Sequence, residues 1–294
     1  MKFGFANLEN AASAVARRLM WTESEWNPKV ILGRTAAAVL PERILHGLKK
    51  TYYGFLISHQ GEDWQETDAR LLKYLVHPGD VAIDVGASIG GFTKLLSDIV
   101  GPSGYVYAFE PNPPTYDFLS HNVKKLKLRN VKLFRLALSE SCGTATMVTP
   151  RYRWGSECHY DATLEHDRAE SGYRRTEISL STLDSIFADQ GQAITFIKCD
   201  VNYHELAFLR GGLHTISRLR PALLIEILGN PDKVGSPAAQ VFELLQQNGY
   251  TGFCFDGERL RRRQCGERSQ NYFFLTPAHI KRIPECIAGR FETP

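Results

Sequence analysis

The run Val81-Ala-Ile-Asp-Val-Gly-Ala-Ser-Ile-Gly-Gly-Phe-Thr93, with Tyr105-Val-Tyr-Ala-Phe-Glu-Pro111 behind it, constrains the chain more than any other stretch. Val81 to Val85 is a short apolar run, the pattern of a strand buried on both faces of a parallel sheet. Gly86 ends it, and Gly90 and Gly91 open a helical spacing carried by Phe92, Leu95, Leu96 and Ile99. A strand, a small-residue turn and a helix N-terminus make a place where a ligand approaches backbone N–H groups. The second run stops at Glu110, where a carboxylate at the carboxyl edge of an open sheet accepts hydrogen bonds from two ribose hydroxyls. The pairing predicts a nucleoside-containing cofactor.

The turn also narrows which cofactor. A dinucleotide fingerprint wants G-x-G-x-x-G, and Gly86-Ala-Ser-Ile-Gly90-Gly91 carries Ser88 where the second glycine would let the backbone approach a pyrophosphate. Asp84 adds an acid that repels a pyrophosphate and suits a ligand bearing an ammonium and a sulfonium. The pattern D-x-G-A-x-x-G, followed by a strand ending in Glu, resembles the S-adenosylmethionine site of class I methyltransferases. That resemblance implies that Gly86, Ala87, Ser88 and Gly90 cradle the methionine and ribose portion, with Asp84 near the amino group. It also implies Glu110 on the ribose hydroxyls, Asn112 beside the adenosine, and Ala137 and Leu138 flanking adenine.

Across its 294 residues the chain is 43% hydrophobic and 23% charged, the balance of an ordinary globular protein. A net charge of +3 is too small to argue for a nucleic-acid partner. No apolar run is long enough to span a bilayer, and the N-terminus lacks a signal-peptide layout, so a cytoplasmic location is expected. The cysteines at 142, 158, 199, 254, 265 and 286 form no C-x-x-C pair, which favours free thiols over a disulfide frame or zinc site.

Residues 1–60 form a helical extension: 11–21 has helical spacing, and 36–48 has another such pattern broken at Pro41. Lys49 to Ile57 mixes basic and aromatic residues and reads as a packed edge with snorkelling lysines, with a substrate groove or a subunit contact, through which a homo-oligomer would form, as the alternatives. Residues 61–277 alternate strands and helices. The strands are Val81–Gly86, Tyr105–Glu110, Val131–Leu138, Thr144–Thr149, Thr195–Val201 and Ala222–Ile227, with a late antiparallel pair, Tyr250–Phe255 and Tyr272–Thr276, about a turn at Asp256-Gly257. This predicts a doubly wound, Rossmann-like α/β fold, mostly parallel with a terminal antiparallel hairpin. Residues 151–175 are polar, charged and aromatic, and read as a lid that brings Trp154 and His159 to the substrate. Residues 278–294 form a tail.

A second constellation is Phe196-Ile-Lys-Cys-Asp-Val-Asn-Tyr-His-Glu205. Asp200 falls at a strand's carboxyl end, and Asn202, His204 and Glu205 follow within one turn. The next strand ends in Glu226, so three core strands finish in acids. The ordered set Asp84-Val-Gly-Ala-Ser-Ile-Gly90, Phe109-Glu-Pro-Asn112, Leu119-Ser-His-Asn122, Ala137-Leu-Ser139, Thr182-Leu-Asp184, Ile197-Lys-Cys-Asp200 and Arg220-Pro221 to Glu226 resembles the FkbM family of S-adenosylmethionine-dependent methyltransferases. The family implies methyl transfer to a hydroxyl oxygen of a sugar, glycoconjugate or natural-product scaffold. One departure stands out: family members show Asp-Val-Glu-Gly-x-Glu, and Asn202-Tyr203 here replaces the Glu-Gly pair.

For such a reaction Asp200 and His204 are the candidate bases, with Asn202 and Glu226 facing the substrate. Asp200, Asn202 and Glu226 could instead hold Mg²⁺, an alternative less favoured than a metal-free site. An NAD-dependent oxidoreductase and a non-catalytic cofactor-binding module are the competing functions. Asn112-Pro-Pro-Thr115 resembles the N-P-P-aromatic signature of nucleic-acid amino-methylases but lacks the aromatic and follows the wrong strand. It reads as a helix start, and a small-molecule or saccharide acceptor is expected.

Overall fold

Strands form here where apolar residues alternate between two covered faces. The computed structural model describes residues 40–59, 67–150, 162–164, 173–187 and 193–288. In chain order the first strands are β1 (Val81–Val85), β2 (Tyr105–Phe109), β3 (Val131–Phe134), β4 (Ala137–Leu138), β5 (Gly143–Pro150) and β6 (Thr163–Leu164). They are followed by β7 (Tyr173–Ser181), β8 (Ile194–Cys199), β9 (Ala222–Glu226), β10 (Thr251–Phe255), β11 (Leu260–Arg262) and β12 (Asn271–Leu275).

The large sheet has the order β11-β10-β12-β9-β8-β1-β2-β3. β3, β2, β1, β8 and β9 are parallel, and β12 enters antiparallel between β9 and β10. Successive residues feed opposite cores. Ile83, Ile197, Leu223 and Tyr272 pack on one face; Ala82, Phe196, Leu224 and Phe273 pack on the other. The helix Gly91–Val100 covers the second face through Leu96 and Val100, positions one turn apart. Its N-cap Gly90 is left-handed (φ +100°), which a side chain rarely tolerates. The helix Pro113–Lys125 opens with proline at its first position and buries Thr115, Phe118, Leu119, Asn122 and Val123.

The late strands differ from the expected hairpin. The turn at Asp256-Gly257 joins β10 to β11 rather than to β12, and β12 returns between β9 and β10. Alternation alone identified the strands but not their order, which is fixed by burying the aromatic side chains of β12 on both faces. The expected third strand also divides: β3 stays in the large sheet, while Ala137 and Leu138 leave it as β4.

A second sheet, β4-β7-β5-β6, stands beside the carboxyl edge of the first. β5 and β7 pair over eight residues each, from Gly143–Leu180 to Pro150–Tyr173. β7 therefore absorbs the end of the expected lid, Tyr173 to Arg175. The rest of that segment, including Trp154 and His159, lies outside the described residues apart from 162–164.

Residues 1–39 lie outside the described part as well. The helix Glu42–Ser58 begins directly after Pro41 and takes in Lys49 to Ile57, whose Tyr53 and Ile57 pack with Phe118. It packs on the Pro113–Lys125 helix: His46 stacks on Phe118 with centroids 4.5 Å apart, and the His46 ring and Lys50 ammonium both meet the Asp117 carboxylate, at 2.6 and 2.7 Å. Its outer face leaves Ile44, Leu48, Tyr52 and Phe55 exposed. Ile283, Cys286 and Ile287 are buried with the large sheet, and Leu260 bridges to Ile287. Among the described residues no helix is long and apolar enough to cross a membrane.

After β8 come two helices, Glu205–Gly211 and Leu213–Leu219, separated at Gly212. A Cβ on Gly211 would stand 1.9 Å from the Ser139 carbonyl oxygen, so this contact sets how closely the first helix approaches the loop after β4. Backbone cannot yield there as a side chain tip can. Gly211→Ala should cost about 2 kcal/mol and lower the melting temperature by about 4–8 °C. Thermal denaturation checks this; an unchanged midpoint would contradict the packing.

Candidate active site

The glycine turn sits where β1 meets the tips of β2 and β8. Gly86 (φ +77°) has no room for a side chain, because a Cβ would lie 1.9 Å from the Asp200 carbonyl oxygen. Its N–H and that of Ala87 both donate to the Phe109 carbonyl, at 3.0 and 2.9 Å. Ser88, itself left-handed at φ +50°, donates its N–H to Glu110 Oε2, and Gly90 donates to the Ala87 carbonyl. The turn is thus tied to β2 by its own N–H groups. This corrects the expectation of N–H groups offered to a ligand: those of residues 86, 87, 88 and 90 are already engaged, leaving little to hold a pyrophosphate. Asn122, on the Pro113–Lys125 helix, donates from Nδ2 to the Ile89 carbonyl and holds the turn from the other side.

Four acids converge on this corner. Asp84 is fully buried; its Oδ2 accepts from the Thr93 hydroxyl at 2.6 Å, and its Oδ1 has no hydrogen-bond partner among the described residues. Burial pushes its carboxyl above the usual range, with the Lys198 charge pulling the other way. Glu110 accepts the N–H of Ser88 on one oxygen and that of Asn112 on the other, both at 2.9 Å. Burial nevertheless pushes it up to about 7, aided by repulsion from Asp84 and Asp200. Glu205 is pushed up to about 7 for the same reason, against N–H donors that include Tyr203. Asp200 is a third exposed and accepts from the Lys198 ammonium at 3.1 Å. Lys198 lies opposite Asp84 in the β1–β8 register and stands 4.9 Å over the Phe92 ring.

After Asp200 the backbone turns sharply. Asn202 (φ +49°) and Tyr203 (φ +73°) are consecutive left-handed residues, a conformation a bulky side chain adopts only under constraint. The constraint is visible in bonds on both sides. Asn202 Nδ2 donates to the Ala162 carbonyl, Thr163 Oγ1 donates to the Asn202 carbonyl, and Tyr203 N–H donates to Glu205. The turn thereby hooks onto β6 of the small sheet and delivers His204, whose Nε2 is 3.0 Å from the Ser139 hydroxyl. Tyr203 itself is largely exposed.

Between the two sheets lies a cavity that is open to solvent on one side. Of the residues expected at the site, Gly86, Ser88, Glu110, Ala137, Leu138, Asp200, Asn202 and His204 line it. Asp84, Ala87, Gly90, Asn112 and Glu226 do not. Asp84 and Gly90 lie behind the wall; Asn112 turns its amide to Thr149 of β5 at 3.1 Å and so bolts the small sheet to the Glu110 turn. Glu226 ends β9 opposite Asn271. Among the described residues no three His, Cys, Asp or Glu side chains are grouped to hold a metal ion.

Sequence reasoning left several groups out. Thr93 bonds Asp84, nine residues back in the same run, and Thr149 is a lone polar position whose partner, Asn112, comes from a distant element. Lys198 carried a signal: a charge inside an apolar run must find a counter-charge if the run is buried. The apolar wall of Leu136, Met147, Ala162 and Leu164 comes with the small sheet and the residue before it, and its Ala162 and Leu164 lie in the segment with little periodicity.

The sheet order, with one antiparallel strand slipped between parallel neighbours, and the acid at the tip of β2 are those of a class I S-adenosylmethionine-dependent methyltransferase. Within that class the chain belongs to the FkbM methyltransferase family, whose methyltransferase FkbM domain matches residues 84–251. It is 26% identical over 210 residues to the 31-O-demethyl-FK506 methyltransferase FkbM of Streptomyces tacrolimicus, covering 63% of this chain and 78% of that one. Among solved structures it is similar to a methyltransferase FkbM from Methylobacillus flagellatus (14% identity, TM-score 0.42), over 93% of this chain but 63% of that longer one. It is also similar to an O-methyltransferase from Bacillus cereus in complex with SAH (12% identity, TM-score 0.44), over 83% and 96% of the two chains.

The left-handed Tyr203 makes a stability prediction. Glycine adopts its backbone conformation without the clash that an L side chain meets, and the exposed ring loses little packing when removed. Tyr203→Gly should raise stability by about 1 kcal/mol, seen as a higher denaturation midpoint. A lower midpoint would show that the ring is held by contacts stronger than the strain.

Proposed function

We propose that this methyltransferase methylates a hydroxyl oxygen of a sugar, glycoconjugate or natural-product scaffold. The observation that carries the reading is the juxtaposition of His204 and Asp200 on the wall of the cavity that the glycine turn and Glu110 also line. The name of the Streptomyces relative, a methyltransferase of 31-O-demethyl-FK506, supports an oxygen on a natural-product scaffold as acceptor.

The residues fit the cofactor on electrostatic grounds. Among the described residues Asp84, Glu110, Asp200 and Glu205 gather near one cation, Lys198, and one Asp84 oxygen is buried without a partner. A ligand with a sulfonium and an ammonium meets that surplus; an anionic dinucleotide is repelled by it and finds the turn's N–H groups engaged. The competing NAD-dependent reading therefore gains nothing from the geometry. Glu110 would take the ribose hydroxyls, since each of its oxygens keeps a free lone pair beside its backbone donor. Gly86 and Ser88 would border the ribose and methionine portion, Asp84 would attract the amino group from behind the turn, and Ala137 and Leu138 would cover the base.

When bound, S-adenosylmethionine supplies an electrophilic methyl group and a sulfur that leaves with the bonding pair. The protein then has to hold the acceptor oxygen in line and receive its proton. His204 is the better base, because Asp200 already shares its charge with Lys198. The Ser139 hydroxyl anchors Nε2 of His204 and so fixes the ring at the cavity wall. Asn202 and Asp200 supply an amide and a carboxylate that a polyhydroxylated acceptor can bridge. A screen of sugar and macrolide alcohols with a methyl-labelled donor tests the reading. The expected product is a labelled methyl ether, lost by at least about 100-fold in His204→Ala; label on nitrogen or carbon would overturn it.

Glu110 sets a pH dependence. Ribose hydroxyls donate, so they favour the ionised carboxylate, while the empty folded protein holds this group near 7. Affinity for S-adenosylhomocysteine should fall as pH drops below 7, by up to tenfold per unit. The folded pKa lies above the ordinary value of 4.5, so protonation stabilises the apo protein, fully below pH 4.5, and that stability is lost as pH rises through 7. Calorimetric titrations from pH 5.5 to 8.5 check this. Glu110→Gln should bind more weakly at pH 8 and flatten the profile; an unchanged slope would refute the assignment.

A further inference from the structure

Glu205 is a buried acid that the roles above leave unused. It opens the helix Glu205–Gly211, directly after the Asn202-Tyr203 turn and His204, and it is 4% exposed. Among the described residues no cation forms an ion pair with it. Backbone N–H groups meet its charge instead: that of Tyr203 at 2.9 Å, that of Val201 and its own. Asp200 stands close enough to repel it. A buried carboxyl beside another acid is costly, and hydrogen bonds from a fixed backbone are what offset the cost.

Those bonds fall on the stretch of the site whose backbone most resists its own shape. Asn202 and Tyr203 are consecutive left-handed residues, and Tyr203 stands where the family pattern has glycine. Two bonds hold the turn from the small sheet, Asn202 Nδ2 to the Ala162 carbonyl and Thr163 Oγ1 to the Asn202 carbonyl. From the large-sheet side Glu205 holds it, with the N–H groups of Val201 and Tyr203 bracketing Asn202 on one carboxylate. A carboxylate accepts on both oxygens, so it can gather N–H groups that point into a tight turn. The neighbours of Tyr203 on either side, Asn202 and His204, both line the cavity.

We infer that Glu205 is a positioning residue for methyl transfer: its carboxylate fixes the left-handed turn and thereby keeps Asn202 and His204 on the cavity wall. The inference rests on the proposed part of His204 in the transfer, and it gives Glu205 no contact with cofactor or acceptor.

The test uses the full chain with Glu205→Gln, which keeps the size of the side chain but brings an N–H donor among the turn's own donors. Calorimetric affinity for S-adenosylhomocysteine should change little, while kcat for labelling the alcohol panel falls by about tenfold to 100-fold. The ring-nitrogen NMR signal of His204, assigned through its loss in His204→Ala, should move toward that of a free imidazole. A merely structural glutamate would lower the melting temperature and leave kcat and that signal in place, which would overturn the inference. Tyr203→Gly relieves the backbone that the carboxylate has to hold. In that background Glu205→Gln should lower the melting temperature less than it does in the native chain; equal losses would count against the assignment. If Glu205→Gln alone does not fold, the His204 signal is compared between Tyr203→Gly and the double variant, and identical signals would overturn the inference. If the native protein methylates none of the alcohols, the function proposed above has failed. The His204 signal then decides separately whether Glu205 holds the turn: displaced, it supports the hold, and unmoved, it refutes it.

Discussion

A row of buried charge runs across the middle of the sheet, and the site depends on it. Asp84 on β1 and Lys198 on β8 face each other in register, and Asp200 takes the lysine's ammonium at the strand tip. Taking such groups out of water is expensive, and removing one member of a buried pair commonly costs about 3–5 kcal/mol. The row persists because Thr93 satisfies one Asp84 oxygen and Phe92 covers the lysine with an aromatic face. What it leaves is an acid-rich corner in which one Asp84 oxygen has no hydrogen-bond partner among the described residues. The electrostatic preference of the site is thus built into the strand pairing rather than added by a loop.

The rest of the architecture brings a wall to that corner. β1, β2 and β8 end together, so the glycine turn, Glu110 and Asp200 meet by topology. The small sheet supplies the opposite side and is attached twice: Thr149 to Asn112, and the Ala162–Thr163 backbone and hydroxyl to Asn202. The left-handed Asn202-Tyr203 turn is the joint between the two. Where the family pattern has a glycine, this chain holds a tyrosine in the same kind of conformation and accepts strain at the mouth of its cavity. Strain of that sort is characteristic of functional turns.

The large sheet was legible in the sequence because buried parallel strands write themselves as short apolar runs, and acids at three of their ends marked the functional edge. Gly86 and Glu110 were readable for the same reason: a left-handed turn and a strand-tip carboxylate have local signatures. Thr149 was not, since its partner Asn112 lies in an element tens of residues away, and Lys198 was only half so: a charge in an apolar run calls for a counter-charge without naming Asp84 on the neighbouring strand. The small sheet was half seen. β5 has strand composition, but β7 starts within charged residues, Tyr173-Arg-Arg-Thr-Glu, whose alternation is covered by polar side chains on both faces. The order of the last strands was hidden too, because a turn at Asp256-Gly257 states that a hairpin forms, not which strand becomes its neighbour.

The central claim is that this corner grips a cationic adenosyl ligand and not an anionic dinucleotide. Side-by-side calorimetric titration of the full chain with S-adenosylmethionine and with NAD⁺, at neutral pH and low salt, tests it most directly. The account predicts saturable heat with the sulfonium compound and none with the dinucleotide. Comparable binding of NAD⁺, or no heat from either, would contradict it.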